Sequence, residues 1–226
     1  MPATITAAVS LATGDRGNGR ELIITTMLLV HFAKRVGEVL CVHAYSGFTS
    51  GPLAGFIGTF YALITLLIAT SQAAVPASVY ADGDTIMALA ITLFLVGEAG
   101  NGYHHWLLST MRRGDTAMPT VPPTPSSRAA GQLHRVPSAH QPMSSGGSYV
   151  IPKGALFDYV TMPHYLFELC AWLGIALCAQ QINAVLAFAG MASYLSGRAV
   201  ATTQWYKTKF GDDYPKDRKH LVPFLF

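Results

Sequence analysis

Apolar residues fall in five blocks, roughly residues 22–42, 53–75, 85–111, 164–179 and 184–201, separated by polar or Gly/Pro-rich stretches. Each block is too long for an ordinary strand and reads as a helix. The second carries no charge and is long enough to cross a bilayer's hydrocarbon. The first and third change character midway. After Leu28-Leu29-Val30 come His31, Lys34, Arg35 and Glu38, then His43. Spacings of three and four put the first four on one side of a helix. After Leu95-Val96 come Glu98, Asn101 and His105, at i, i+3 and i+7. The fourth block opens on Pro163, suited to a first helical position. His164 and Glu168 then share a face, with Tyr165 beside them. The fifth carries Arg198 near its end, followed by Trp205 and Tyr206. Ionisable groups at the mouths of membrane helices mark a site, because they must face a cavity or each other.

Composition agrees with an all-α integral membrane bundle of about five helices. Only 12% of the 226 residues are charged and 51% are hydrophobic, against about 25% charged in soluble domains. A net charge of +3 without a basic stripe excludes a nucleic-acid partner. Cys41, Cys170 and Cys178 all lie in apolar blocks and read as thiols rather than a disulfide framework. The expected organisation is a leader over residues 1–20, one membrane domain over 21–226, and a flexible Pro/Ser/Gly-rich loop over 112–148. Gly17-Asn18-Gly19 follows no strand and lacks the later glycine of a dinucleotide loop. Five spans put the 112–163 segment and the tail on one side, with most of the Arg and Lys. That bias predicts a cytosolic C-terminus, with the polar stripes at the cytosolic ends of their helices.

The groups expected to converge there are His31, Lys34, Arg35, Glu38 and His43; Asn101, His105 and Arg112; Tyr149; His164, Tyr165 and Glu168; Arg198 and Tyr206. Guanidinium forks match phosphate oxygens, and phenols and imidazoles suit flat rings. Adjacent His104 and His105 point about 100° apart on a helix and chelate one ion poorly, so no metal is expected. No Ser-His-Asp order, nucleophile elbow or Walker loop occurs. The residues by themselves indicate a membrane-embedded enzyme using a phosphate-bearing cofactor.

Several runs carry a resemblance. They are His31-Phe32-Ala33-Lys34-Arg35, Gly100-Asn101-Gly102-Tyr103-His104-His105, Tyr149-Val150-Ile151-Pro152, residues 157–172, and Lys209-Phe210 through Tyr214-Pro215, Arg218 and Pro223-Phe224. Together they resemble the steroid 5-alpha-reductase C-terminal domain family, which includes steroid 5-alpha-reductases, polyprenol reductases and very-long-chain trans-2-enoyl-CoA reductases. The resemblance implies a multi-pass endoplasmic-reticulum enzyme using NADPH to reduce a carbon–carbon double bond conjugated to a carbonyl. It implies a lipid-like substrate, an enoyl-CoA or an enone steroid, and for the enoyl-CoA branch other fatty-acid elongation enzymes as partners. By position, Asn101, His105, Arg112, Tyr149, His164, Arg198 and Tyr206 fall to the cofactor, and Tyr165, Lys34 and Glu168 to catalysis.

Lys34 in the His-x-x-Lys-Arg pattern, with Glu38 and Val42-His43 following, looks more like the enoyl-CoA branch. His164 resembles the Pro-His-Tyr of polyprenol reductases. His105 and Phe32 depart from the steroid branch. Family members carry further spans before the first of these helices, so this chain is expected to lack two N-terminal helices. Two other readings stand beside the reductase. Membrane methyltransferases share a Pro-x-Tyr turn, but carry Arg-His-Pro where this chain has Thr161-Met162-Pro163. A non-catalytic remnant is suggested by the short N-terminal part.

Overall fold

The computed structural model describes residues 19–43, 50–75, 84–116 and 149–226. Five α-helices account for most of them: α1 (Gly19–Gly37), α2 (Gly51–Ala74), α3 (Asp84–Thr116), α4 (Pro163–Ala179) and α5 (Ile182–Phe210). A π-helical turn (Glu38–Val42) continues α1, and short 3₁₀ turns (Ala155–Asp158 and Gly211–Asp213) flank α4 and α5. The five apolar blocks therefore correspond to five helices. Of these, α2, α3 and α5 are long and apolar enough to cross a membrane, while α4 is a shorter apolar helix. The architecture is that of an all-helical membrane bundle. Among the described residues the only β pairing is an isolated bridge between Val160 and Lys219.

Local chemistry sets the helix ends. Pro52 and Pro163 stand in the first turns of α2 and α4, where a missing N–H leaves no extra orphan. Gln180 closes α4 in the left-handed conformation, its N–H bonding the Ala176 carbonyl. The last carbonyls of α4 are met from neighbouring helices. Arg20 donates to the Cys178 carbonyl at 2.6 Å and Gln72 to that of Ala179 at 2.9 Å. With no water in a bilayer core, such bonds are what allow a helix to end there. Gly211, at φ +56°, turns the chain back after α5.

The centre of the bundle is the contact between α3 and α4. A Cβ at Gly174 would lie 2.6 Å from the Ala90 carbonyl oxygen and 2.8 Å from the Phe94 nitrogen. One at Gly97 would strike the Ala171 backbone, and one at Gly100 the Phe167 ring. The two backbones meet through glycine and alanine, as close-packed membrane helices do. Trp172, on the other side of α4, is fully buried and packs edge-on to His31 and near Phe32 of α1. Ile24, Leu28 and Phe32 repeat at helical spacing to complete the core.

Of the segment expected as a loop over 112–148, α3 takes in residues 112–116, as helical hydrogen bonding carries past the last apolar residue, and residues 117–148 lie outside the described residues. Of the expected leader over residues 1–20, α1 takes in Gly19 and Arg20, and residues 1–18 lie outside the described residues. The fifth helix extends nine residues past its apolar block, to Phe210.

The close α3–α4 approach yields a prediction. Gly174→Ala should destabilise the purified protein by about 2–3 kcal/mol, because the clashing atoms are backbone and cannot rotate away. Gly190→Ala, with nothing within 4 Å of its new Cβ, should leave the unfolding midpoint in detergent nearly unchanged. Equal midpoints for both variants would contradict this packing.

Candidate active site

Two polar stripes expected from spacing alone face each other. On α1 they are His31, Lys34 and Arg35, with Glu38 in the π turn; on α3 they are Glu98, Asn101 and His105. The His31 Nδ1–H donates to Glu98 Oε1 at 2.6 Å. The Lys34 ammonium lies 3.1 Å from Glu98 Oε2 and 3.3 Å from Glu38 Oε1, and donates to Asn101 Oδ1. Arg35 Nη1 donates to Glu38 Oε2 at 2.9 Å and to His105 Nε2 at 2.8 Å. An accepting Nε2 puts the His105 proton on Nδ1. The stripes thus neutralise each other in a buried seam where neither helix alone could keep these groups.

Asn101 extends the seam to α4, donating to the His164 carbonyl at 2.8 Å and standing 3.5 Å from Glu168 Oε2. Glu168, His164 and Asn101 are all buried. The π turn re-aims the chain so that His43 leaves α1 toward α3. Its ring lies 4.7 Å from that of His105, which lies 4.6 Å from that of His164, itself 4.7 Å from that of Tyr165. Four rings, one after the π turn, one from α3 and two from α4, therefore form a continuous row.

That row is one wall of a cavity of about 260 Å³. From α3 come His105 and Arg112, from α4 His164 and Tyr165, from α5 Arg198, Thr202 and Tyr206. Phe157, Thr161 and Met162 supply the segment before α4. Arg198 stands close enough to the Tyr165 hydroxyl, and Arg112 to that of Tyr206, for each guanidinium to act electrostatically on its phenol. The buried His164 Nδ1 finds no hydrogen-bond partner among the described residues. The cavity thus offers two guanidinium–phenol pairs beside the rings of His105 and His164, a lining suited to an anionic ligand with a polar ring.

Of the residues singled out from sequence, His43, His105, Arg112, His164, Tyr165, Arg198 and Tyr206 line this cavity. Lys34, Asn101 and Glu168 do not; they form the polar seam behind it. Tyr149 is displaced further, its ring 4.9 Å from Trp205 with the Lys209 ammonium 4.3 Å over it. The extra turns of α5 carry Trp205 and Lys209 past the cavity, and Tyr149 follows them. Thr202 had a signal that went unused, standing midway between Arg198 and Tyr206 at four-residue spacing. Thr161 had none: its hydroxyl pairs with Tyr214 at 2.7 Å and accepts from Thr203 at 2.8 Å, both distant in sequence. Glu38, His43 and His105 offer ligand atoms within 4.8 Å of one another, a cluster invisible to spacing along one helix. Two of the three, Glu38 and His105, bond the Arg35 guanidinium here.

Residues 139–226 match the sequence family described as 3-oxo-5-alpha-steroid 4-dehydrogenase. This part of the chain is similar to that family's domain. It holds His164, Tyr165, Glu168, Arg198 and Tyr206, the α4–α5 side of the cavity. Steroid 5-alpha-reductase DET2 of Solanum lycopersicum is 48% identical over 83 residues, 37% of this chain and 32% of that protein. Human 3-oxo-5-alpha-steroid 4-dehydrogenase 1 is 42% identical over 94 residues, 41% of this chain and 35% of that protein. A very-long-chain enoyl-CoA reductase of Dictyostelium discoideum is 27% identical over 197 residues, 87% of this chain and 55% of that protein. The chain is matched over about a third of the length of the steroid relatives, and over about half that of the enoyl-CoA reductase.

The seam can be tested by a double-mutant cycle. Glu98→Gln leaves Lys34 short of a buried counter-charge and should cost about 3 kcal/mol of stability. Adding Lys34→Met should recover part of that loss, a coupling of about 1–3 kcal/mol. Strictly additive losses in detergent unfolding would show that the two side chains do not depend on each other.

Proposed function

We propose that this chain belongs to an NADPH-dependent reductase of the endoplasmic-reticulum membrane, acting on a carbon–carbon double bond conjugated to a carbonyl in a lipid-like substrate. The observation that carries this is the Tyr165–Arg198 pair on the cavity wall beside the His164 ring. In such a reduction, negative charge develops on the carbonyl oxygen and a proton must reach the α-carbon. A phenol is a suitable donor for either task, and an adjacent guanidinium stabilises the phenolate left behind.

The residues present suit part of a nicotinamide dinucleotide. Arg112 and Arg198 offer charge for phosphate, and Tyr206, His105 and His164 offer hydrogen bonds and ring faces. At about 260 Å³ the enclosed part is smaller than the ~300–1,000 Å³ of drug-sized sites, so it would hold one end of the molecule. When bound, NADPH would supply the hydride. Lys34, Asn101 and Glu168 are positioning residues in this reading: they hold the His164 backbone and the α1–α3 seam, and Tyr165 is the proton donor. The cavity side is cytosolic, where the charge bias places the basic segments.

The substrate reading leans to a trans-2-enoyl thioester of a very long chain, with other fatty-acid elongation enzymes as neighbours. Its support is the coverage of the Dictyostelium match, which extends well beyond the C-terminal domain, together with the His31-x-x-Lys34-Arg35 pattern of α1. The higher identity of the steroid relatives over their shorter matches favours an enone steroid as the second reading.

Turnover separates these. The full chain should oxidise NADPH with a trans-2-enoyl-CoA faster than with an enone steroid or a polyprenol-derived substrate. Tyr165→Phe should lower turnover by at least ~100-fold while NADPH binding persists. Arg198→Ala should weaken NADPH binding by about 1.5–3 kcal/mol. Normal turnover in Tyr165→Phe with loss in Lys34→Met would assign the donor to Lys34. Binding of S-adenosylmethionine in place of NADPH would point to a methyltransferase.

A further inference from the structure

The segment before α4 has two sides. Phe157, Thr161 and Met162 face the cavity described above, whereas Asp158 and Tyr159 face a second, open cavity of about 680 Å³. Its remaining wall is Lys207 at the end of α5, residues 215–220, and Phe224. Backbone bonds fasten this wall to the segment: Thr161 N–H to the Lys219 carbonyl at 2.9 Å, and Lys219 N–H to that of Tyr159 at 2.9 Å.

Its charge is predominantly positive. Arg218 is buried and committed to the Pro152 carbonyl at 3.0 Å. The ammonium groups of Lys207 and Lys219 make no hydrogen bond or ion pair among the described residues. Lys216 lies 3.2 Å from Asp212, but both are so exposed that water screens the pair. Burial and the nearby Lys207 and Lys219 hold His220 below the ordinary imidazole range.

Beside these cations stands an apolar projection. Phe224 has φ +65°, a left-handed conformation that is strained for a bulky side chain. The Phe226 N–H to Val222 carbonyl bond at 3.0 Å and the Val222 N–H to Phe226 carbonyl bond at 2.8 Å lock the turn. The result is that Phe224 and Leu225 are 80% and 79% exposed, with the Phe224 ring 5.6 Å from that of half-exposed Tyr159. Two adjacent apolar side chains are thus pushed outward by strained backbone, next to uncommitted ammonium groups.

The depth of this feature in the bundle indicates its surroundings. Lys207 stands about 37 Å along α5 from Ile182 at 1.5 Å per residue, beyond a ~30 Å hydrocarbon core. That is the level of lipid headgroups, on the end of the bundle where the basic residues gather. We propose that this cavity is a headgroup site for an anionic phospholipid, whose phosphate is held by Lys207, Lys216 and Lys219 while Phe224 and Leu225 insert below it. A soluble nucleotide would use the cations and the aromatic rings but would leave Leu225 in water. An anionic lipid accounts for both halves of the feature.

The test uses the full chain in nanodiscs of phosphatidylcholine alone or with phosphatidylglycerol. Bimane is attached at Leu225→Cys in a Cys41→Ser background. With phosphatidylglycerol present, a shallow spin-labelled lipid should quench the label and aqueous iodide should not. Retention of phosphatidylglycerol in native mass spectrometry should fall about 5-fold for each of Lys207→Gln, Lys216→Gln and Lys219→Gln. Lys153→Gln, outside the cavity, should not change it. Equal iodide quenching in all discs would overturn the proposal, as would equal protection in neutral and anionic discs. Protection already present in detergent would mean that another part of the chain covers the site. Protection conferred in detergent by coenzyme A would make it a nucleotide site instead. Should a lysine variant fail to fold, the comparison of neutral with anionic discs on the unsubstituted cavity still decides.

Discussion

The rest of the structure depends on how closely α3 and α4 approach. Gly97, Gly100 and Gly174 remove the side chains that would hold the two backbones apart. Only at that separation does Asn101 reach the His164 carbonyl and Glu168, and only then do the rings of His105 and His164 meet. In lipid there is no hydrophobic force to pull helices together, so contact between backbones has to supply the attraction. A larger residue at any of these positions would move the site as well as weaken the bundle.

The second constraint is electrostatic. Two cations of α1 and two carboxylates, one from the π turn and one from α3, share a buried seam in which each charge has an opposite neighbour. Such an arrangement is costly to desolvate and contributes little net stability, but a mismatch would leave a charge buried alone. Its effect is to select one register of α1 on α3. That register in turn delivers His43 and Arg35 to the cavity side, so the seam acts on the site through position. The tail residues do the same from outside, since Arg218, Lys219 and Tyr214 hold the segment that carries Phe157 and Thr161.

Much of this was legible in the linear pattern. The five apolar blocks, the facing stripes at Glu98, Asn101 and His105 and at His31, Lys34, Arg35 and Glu38, and the start of α4 at Pro163 all follow from helical periodicity and proline chemistry. Those signals are local, needing only the neighbours within one or two turns. Arg198, Thr202 and Tyr206 belong to the same kind, since four-residue spacing stacks them on one face of α5.

What periodicity could not assign is which polar group faces the cavity and which is used up between helices. Lys34 and Glu168 look like site residues in the sequence, and so does Tyr149. In three dimensions the first two lie in the seam behind the cavity and the third packs against Trp205 and Lys209. The converse holds for Thr161, ordinary in sequence and placed on the cavity by bonds to a tail more than fifty residues away. The sequence by itself determined the class of the protein, the five helices of the described residues and the end of the bundle where polar chemistry collects, because these are set by hydrophobicity and helical repeat. The tertiary structure alone decided the inner partners of each charge, because a buried ion's partner is chosen by distance across helices, which no spacing along the chain encodes.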